Sequence, residues 1–239
     1  MKSLASRALG PISLLLTAFT VVMGLFVTPK DAVQGDYARL VYIHPGLAWV
    51  ALYLSFGTAA VASALYLWPR TRSMNADRVA ASAVEVSTVF IALTLVTGSI
   101  WGRPTWGVWW VWDARLTSTA VLGVLMLGYL ALRRTYDDLH LRARRSAVFA
   151  LLAAINVPIV HFSVMWWKTL HQGATVFTEN RHLKIHGSMA WTLLAGFISL
   201  SLDYLWLVRA RYRIALSEAE HDEAELSAAL AERLKEGAQ

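Results

Sequence analysis

Residues 101–118 read WGRPTWGVWWVWDARLTS and concentrate indole side chains next to a carboxylate. Five of the eleven tryptophans of the chain lie within twelve residues here. The members of this group are Trp101, Trp106, Trp109, Trp110 and Trp112, followed by Asp113. Five indoles are too large to be buried together in one place, and an exposed aromatic patch commonly binds a flat, apolar ligand. A tetrapyrrole, which is flat and apolar with polar edges, fits such a platform.

Two histidines are candidates to bind the iron of a tetrapyrrole, because histidine is its commonest axial ligand. His44 lies in YIHPG, where an apolar segment begins, and His171 lies in TLHQG, where another apolar segment ends. The topology derived below puts both on the same side as the tryptophans. We therefore expect two imidazoles, held on different helices, to face each other across a macrocycle above the tryptophan segment.

The spacing of the tryptophan segment predicts a shared helical face. Trp106, Trp109, Trp110 and Asp113 lie at positions i, i+3, i+4 and i+7. The two glycines and Pro104 predict a turn at the start of the segment. An aromatic belt at the membrane surface is the alternative. A belt accounts for one or two tryptophans at the end of a span, but not for five in one loop.

The composition is that of an integral membrane protein. The chain has 239 residues, of which 56% are hydrophobic and 16% are charged. A soluble domain would carry about 25% charged residues. Six apolar blocks approach the roughly 20 residues that cross a bilayer. They are residues 11–27, 40–68, 79–100, 116–132, 146–166 and 187–208. The prediction is an all-α, six-span membrane domain over 1–210, followed by a cytoplasmic amphipathic tail over 211–239.

The distribution of lysine and arginine orients the predicted spans. Of the 22 basic residues, fifteen fall on the side of both termini and seven on the other side. Both termini are therefore expected in the cytoplasm, with the tryptophan loop on the exocytoplasmic face. This placement also explains the net charge of +6 without nucleic acid binding. The absence of cysteine excludes thiol chemistry from this chain.

Several polar residues have two possible roles. His161 lies inside the fifth span, where it either lines the ligand site from below or makes a structural hydrogen bond. His182 and His186 are possible spare ligands. Glu85 and Asp203, in the cytoplasmic halves of their spans, are expected to form pairs between helices or to contact a partner subunit. Asn156 and Pro158 predict a kink in the fifth span that would re-aim His171.

The tryptophan motif, YIHPG, NVPIVHFSVMWWKTLHQG and the six-span pattern together resemble the haem exporter protein C (CcmC) family. These are haem-handling proteins of cytochrome c maturation with a tryptophan-rich WWD signature. The resemblance covers most of residues 40–208. In one detail the sequence departs from the family, which often has His-Val-Pro, whereas Pro45 follows His44 directly.

The resemblance implies the cofactor, the site and the partners. His44 and His171 would be the axial ligands of haem b, and residues 101–113 would cradle it and face the haem chaperone CcmE. The small subunit CcmD, the ABC-type subunits CcmA and CcmB, and membrane lipid are the other partners implied. The location implied is the bacterial inner membrane, with the functional face periplasmic. The basic residues on that side that could pair with the haem propionates are Arg103, Arg115, Lys168, Arg181 and Lys184.

Two other functions are considered. A b-type cytochrome subunit would hold its histidines deep within facing spans, and a small-molecule transporter would have helices broken near the middle of the bilayer. The sequence contains no G-x-x-x-x-G-K-[ST] motif, so any ATP hydrolysis must come from another polypeptide. It also suggests no acid–base dyad, which favours a haem-handling factor over a classical enzyme.

Overall fold

The computed structural model describes residues 4–171 and 185–236, with side chains from residue 8 onwards. Helices account for the regular structure of this part, and it contains no β-strand. They are α1 (Leu4–Val22), α2 (His44–Trp49), α3 (Phe56–Leu67), α4 (Met74–Trp106), α5 (Ala114–Arg133), α6 (Leu139–Ala154), α7 (Asn156–Trp166) and α8 (Gly187–Glu236). Within residues 4–171 and 185–236, six segments are long and apolar enough to cross a membrane, as the sequence predicted.

The second span is built from several helical pieces. A 3₁₀ helix covers Asp36–Tyr42, α2 begins at His44, and a π-helical turn over Val50–Ser55 joins α2 to α3. Pro45 occupies the first turn of α2. Proline is well suited to that place, since its missing N–H would have no partner within the helix. The direct His44–Pro45 sequence therefore starts the helix rather than breaking it.

The fifth span is interrupted at Ile155, next to the residues for which the sequence predicted a kink. Helix α6 ends at Ala154 and α7 begins at Asn156. The Asn156 side chain donates a hydrogen bond to the backbone oxygen of Ser118 in α5, at 2.9 Å. This bond fixes α7 to α5 at the kink.

Helix α4 is at the centre of the bundle. It packs against α3, α5 and α8, while α1 lies against α8 and α6 lies against α3. The main core contains alanines and larger apolar residues from these helices, among them Leu122, Met126 and Tyr204. The alanines allow the long helices to approach closely.

Ion pairs join helices toward the end of the bundle where α4 begins and α5 ends. Asp77 accepts two hydrogen bonds from the Arg133 guanidinium, at 2.6 and 2.8 Å, and the aspartate is almost fully buried. Glu85 pairs with Arg211 across α4 and α8. Asp203 accepts a hydrogen bond from Thr17 at 2.6 Å across α8 and α1. A pair between helices is thus confirmed for Glu85, while Asp203 makes a hydrogen bond between helices.

Helix α8 runs without interruption from the sixth span into the tail. Residues 220–236 are exposed on all sides. The predicted helix over the tail is therefore present as far as Glu236, and no helix break marks the predicted boundary at residue 210.

The other end of the bundle holds His44, His171 and the tryptophan segment Trp101–Asp113. There α4 ends, α2 and α5 begin, and α7 ends. We call it the tryptophan end, defined by residues 28–44, 98–116 and 166–171.

Candidate functional site

A cavity of about 260 Å³ opens at the tryptophan end. Its wall is mainly apolar and comes from α2, α4, α5 and the segment after α7. Both candidate histidines line it, together with three of the five tryptophans. These five residues are His44, His171, Trp101, Trp106 and Trp110. The two imidazoles therefore border the same cavity. The structure thus brings together residues that lie up to 127 positions apart.

A hydrogen-bond network fixes the tautomer of His44. Its Nδ1 lies 2.9 Å from the hydroxyl oxygen of Thr97. That hydroxyl also lies 2.7 Å from the backbone oxygen of Leu93, and when it donates its single proton there, its oxygen accepts from the imidazole. In this arrangement the proton of the neutral ring is on Nδ1 and the lone pair is on Nε2. This is the arrangement in which histidine binds a metal.

Space for the His44 ring is created by a glycine. A Cβ atom added at Gly98 would lie 3.0 Å from Cε1 of His44. Trp101, one turn further along α4, meets the imidazole edge-on with the ring centroids 5.9 Å apart. The last two turns of α4 therefore shape one side of the His44 pocket.

His171 is held against a second tryptophan of the same helix end. The ring centroids of His171 and Trp106 are 6.2 Å apart. Trp101 and Trp106 thus each pack against one of the two histidines.

The prediction of one helical face for the tryptophan segment is wrong. Pro104 lies within α4, which continues to Trp106 and ends at Gly107 in the left-handed conformation (φ 81°). Residues 107–113 are not helical. Glycine takes this conformation without steric cost, so it ends the helix where a side chain would be strained. The Arg103 guanidinium donates to the Gly107 oxygen at 2.6 Å and closes the turn.

The helix end divides the tryptophans into two groups. Trp101, Trp106 and Trp110 line the cavity. Trp109 and Trp112 do not line it, and their side chains are 59% and 77% exposed. Only part of the predicted platform therefore faces the histidines.

Asp113 does not line the cavity but connects two segments that do. One of its carboxylate oxygens accepts from the Leu116 amide at 2.8 Å and caps α5. The other accepts from the Leu170 amide at 3.0 Å, 57 positions away in the sequence. Because Leu170 precedes His171, Asp113 fixes the histidine segment to the start of α5.

Two buried polar groups of the cavity wall have no hydrogen-bond partner within the described part of the chain. They are the indole N–H of Trp110 and the Nε of Arg115. Buried donors of this kind are normally satisfied. Both are suited to an anionic or oxygen-bearing group of a ligand.

The first loop at the tryptophan end also reaches the cavity. Gln34 lines it and accepts a hydrogen bond from the indole N–H of Trp101 at 2.9 Å. The Asp31 carboxylate accepts from the backbone amides of Gln34 and Val33, both at 2.8 Å. These bonds lower the pKa of Asp31 and keep the loop folded in its charged form.

The remaining candidates lie elsewhere. His161 is exposed on the outer face of α7, where its Nδ1 forms a hydrogen bond with the Tyr53 hydroxyl. His186 and Lys168 are exposed and do not line the cavity. Three further candidates fall outside the described residues: Arg181, His182 and Lys184.

Thr97, Gly98 and Gln34 were not predicted from the sequence. All three lie close to the cavity, but none belongs to a recognisable motif. Thr97 and Gly98 precede Trp101 by one turn of α4, and this helical spacing could have indicated them.

The sequence also matches known proteins over most of its length. The family model described as "Heme exporter protein C" matches residues 1–227. "Heme exporter protein C" of Escherichia coli (strain K12) is 38% identical over 199 residues, which are 82% of this chain and 78% of that protein. The protein of the same name from Haemophilus influenzae is 37% identical and covers 86% of this chain and 82% of its own length. A "putative cytochrome c biosynthesis ccmC-like mitochondrial protein" of Arabidopsis thaliana is 35% identical over 77% of this chain and 68% of its own length. The chain belongs to the haem exporter protein C family.

Proposed function

We propose that this membrane protein binds haem b in the cavity at its tryptophan end and presents it for cytochrome c maturation. His44 and His171 would be the axial ligands. The observation that carries the proposal is that both histidines line one apolar cavity, each packed against a tryptophan of α4. Family membership supports the same role, since the relatives are named as haem exporters.

The chemistry of the cavity wall fits haem. The Nε2 lone pair of His44 suits the iron, and the indoles of Trp101, Trp106 and Trp110 suit the macrocycle. The unpaired Arg115 and Trp110 donors suit a propionate, because a carboxylate accepts from both kinds of group. Bound haem would supply an iron that the histidines coordinate. The protein would hold the haem, orient it and leave it accessible to a partner. No other candidate cation for the propionates lines the cavity among the described residues.

The exposed tryptophans support hand-off to a protein. Trp109 and Trp112 project beside the cavity, and large exposed indoles are typical of protein interfaces. The recipient is the haem chaperone CcmE, with CcmD, CcmA and CcmB as further components in the bacterial inner membrane. By the distribution of basic residues, the tryptophan end faces the periplasm. The protein acts in this scheme as a haem-handling factor.

The test is an absorption spectrum of the purified protein from haem-sufficient cells. The wild type is compared with His44→Ala, His171→Ala and the matched control His140→Ala, which changes an exposed histidine at the start of α6. We expect a Soret band in the wild type and the control, and a shifted or lost band in the other two variants. An unchanged band in both His44→Ala and His171→Ala would refute the axial assignment.

A further inference from the structure

A continuous row of aromatic rings lies on the membrane-facing surface of the bundle. It begins at Phe197 on α8, crosses the second span and continues along α7. Neighbouring ring centroids are between 4.7 and 6.3 Å apart. The members are Phe197, Trp49, Tyr53, His161, Phe162 and Trp166. We call this row the lateral aromatic surface.

The row spans the space between α7 and α8. Helix α7 packs on α5 and α6, whereas α8 packs on α1, α2 and α4. The second span lies between α7 and α8 and supplies Trp49 and Tyr53. Trp49, His161 and Trp166 are exposed at this position. Among the described residues, these side chains are thus exposed on segments that are long and apolar enough to cross a membrane.

An interfacial belt does not explain the row, because it extends below the membrane surface. His161 lies five residues before Trp166, which is about 7.5 Å of helix rise. An ionisable side chain at this depth is costly unless it has a partner, and it usually marks a ligand or ion pathway. The hydrogen bond with Tyr53 involves only Nδ1 of His161. In the tautomer that donates from Nδ1, the Nε2 lone pair remains for a ligand.

The lateral aromatic surface adjoins the cavity. Ala48 and Leu52 line the cavity, and each is followed in the chain by a member of the row, Trp49 and Tyr53. Tyr53 also lies near Arg115 of the cavity wall. The two sites therefore lie side by side around one helix.

We propose that the lateral aromatic surface is a second contact site for iron porphyrin, with His161 as its iron-binding group and Tyr53 holding the imidazole. The inference rests on the proposed function, because it takes the ligand of the cavity to be haem. Imidazole and phenol both bind haem iron in proteins, and the indole and phenyl rings offer faces for the macrocycle. A porphyrin held there would lie in the membrane next to the cavity. From this surface, haem could move laterally from the lipid to the two axial histidines of the cavity, or in the reverse direction.

The test uses hemin titrations of the full-length chain in phosphatidylcholine nanodiscs. The parent variant is His44→Ala/His171→Ala, which removes the axial pair of the cavity. We expect it to bind hemin with the spectrum of an iron–histidine complex. Adding His161→Ala should convert this spectrum to that of unligated hemin. Adding Tyr53→Phe should weaken binding about tenfold, since it removes the hydrogen bond that orients the ligand. Adding His140→Ala should change nothing.

Iron-free protoporphyrin separates ligation from stacking. Its binding, followed by fluorescence, should be insensitive to His161→Ala and weakened by Trp166→Ala. The matched control for the indole is Trp68→Ala, an exposed tryptophan at the far end of α3.

The two proposals fail in different ways. If the wild type and His44→Ala/His171→Ala give the same spectrum, the axial assignment in the cavity is wrong. If His161→Ala leaves the hemin spectrum and affinity of the parent variant unchanged, the lateral site is wrong, whatever the cavity does. Loss of a co-purifying subunit in His161→Ala with unaltered hemin binding would also overturn it and would identify the surface as a helix-docking face.

Discussion

Two aspartates at opposite ends of the bundle begin their helices in the same way but differ in what else they bind. Asp113 caps α5 through the Leu116 amide, and Asp138 caps α6 through the Leu141 amide. Within the described chain, the Asp138 carboxylate accepts only this bond. Asp113 also accepts from the Leu170 amide, next to His171. One residue completes a helix, and the other completes a helix and positions a candidate ligand.

The same contrast holds for the cationic side chains of the two ends. At the far end, Arg133 pairs with Asp77 in a bidentate contact and Arg211 pairs with Glu85. At the tryptophan end, Arg115 lines the cavity and its Nε has no partner among the described residues. In these examples the arginines of the far end join helices, whereas Arg115 keeps its Nε donor beside the cavity. Each prediction below tests this division.

The largest effect is expected from breaking the Asp77–Arg133 pair. Asp77→Ala leaves a largely buried guanidinium without its carboxylate, which typically costs about 3–5 kcal/mol of unfolding free energy. The measurement is denaturant unfolding in detergent. Haem bound per folded molecule should remain at the wild-type value, because Arg133 is remote from the cavity.

The control for this prediction is the double variant Asp77→Leu/Arg133→Met. It replaces the pair with apolar side chains and should recover much of the lost stability. A loss of haem in the folded fraction of Asp77→Ala would contradict the division between the two ends.

The next effect concerns the tautomer of His44. Thr97→Val removes the hydroxyl that accepts from Nδ1, and loss of such a partner commonly weakens metal binding about 10–100-fold. Thr88→Val is the matched control, since Thr88 lies on the same helix and donates to Val84 in the same way. Hemin affinities of the two variants are compared by titration. Equal affinities would show that Thr97 does not orient the ligand.

A smaller effect separates the two capping aspartates. Asp113→Ala and Asp138→Ala should each lose about 1 kcal/mol of stability from the cap. Only Asp113→Ala also removes the hydrogen bond to the Leu170 amide, which precedes His171. A net hydrogen bond contributes about 1 kcal/mol, so its loss should weaken hemin binding about five-fold. Asp113→Asn keeps one oxygen that can cap the helix. Relative to Asp113→Ala, it should restore more of the unfolding free energy than of the hemin affinity. If both alanine variants bind hemin equally, Asp113 is a cap and nothing more.

Much of the architecture follows from patterns within the sequence. Six apolar blocks predicted the six spans, and Asn156 with Pro158 predicted the break at Ile155. The six spans could be predicted because a bilayer requires long apolar helices. The break could be predicted because proline removes a backbone hydrogen-bond donor from a helix.

The pairing of Asp77 with Arg133, 56 positions apart, follows from no such pattern. Which side chains meet across helices depends on rotation and register, and one sequence does not specify these.

Of the predicted site residues, the structure places His44, His171, Trp101, Trp106 and Trp110 around one cavity and leaves Trp109, Trp112 and Asp113 outside its lining. His44 and His171 were expected on one side, and the structure places both in one cavity. The helical face was wrong because Gly107 stops α4, so that the positions i+3 and i+4 after Trp106 leave the helix. Periodicity predicts a shared face only while the helix continues. Gly107 adopts the left-handed conformation directly after Trp106, so helical spacing does not apply to the residues that follow it.

The smallest effect on haem affinity is expected from the tryptophans outside the cavity. Trp109→Phe and Trp112→Phe should leave hemin affinity unchanged, whereas Trp106→Phe should lose about 0.5–1.5 kcal/mol because its ring packs against His171. The exposed pair should matter instead for transfer, measured as the rate at which an apo-chaperone removes haem from the protein. Equal transfer rates in wild type and a Trp109/Trp112 double variant would make these indoles an interfacial belt. A slower rate at unchanged affinity would assign the exposed indoles to the recipient and the cavity-lining indoles to the ligand.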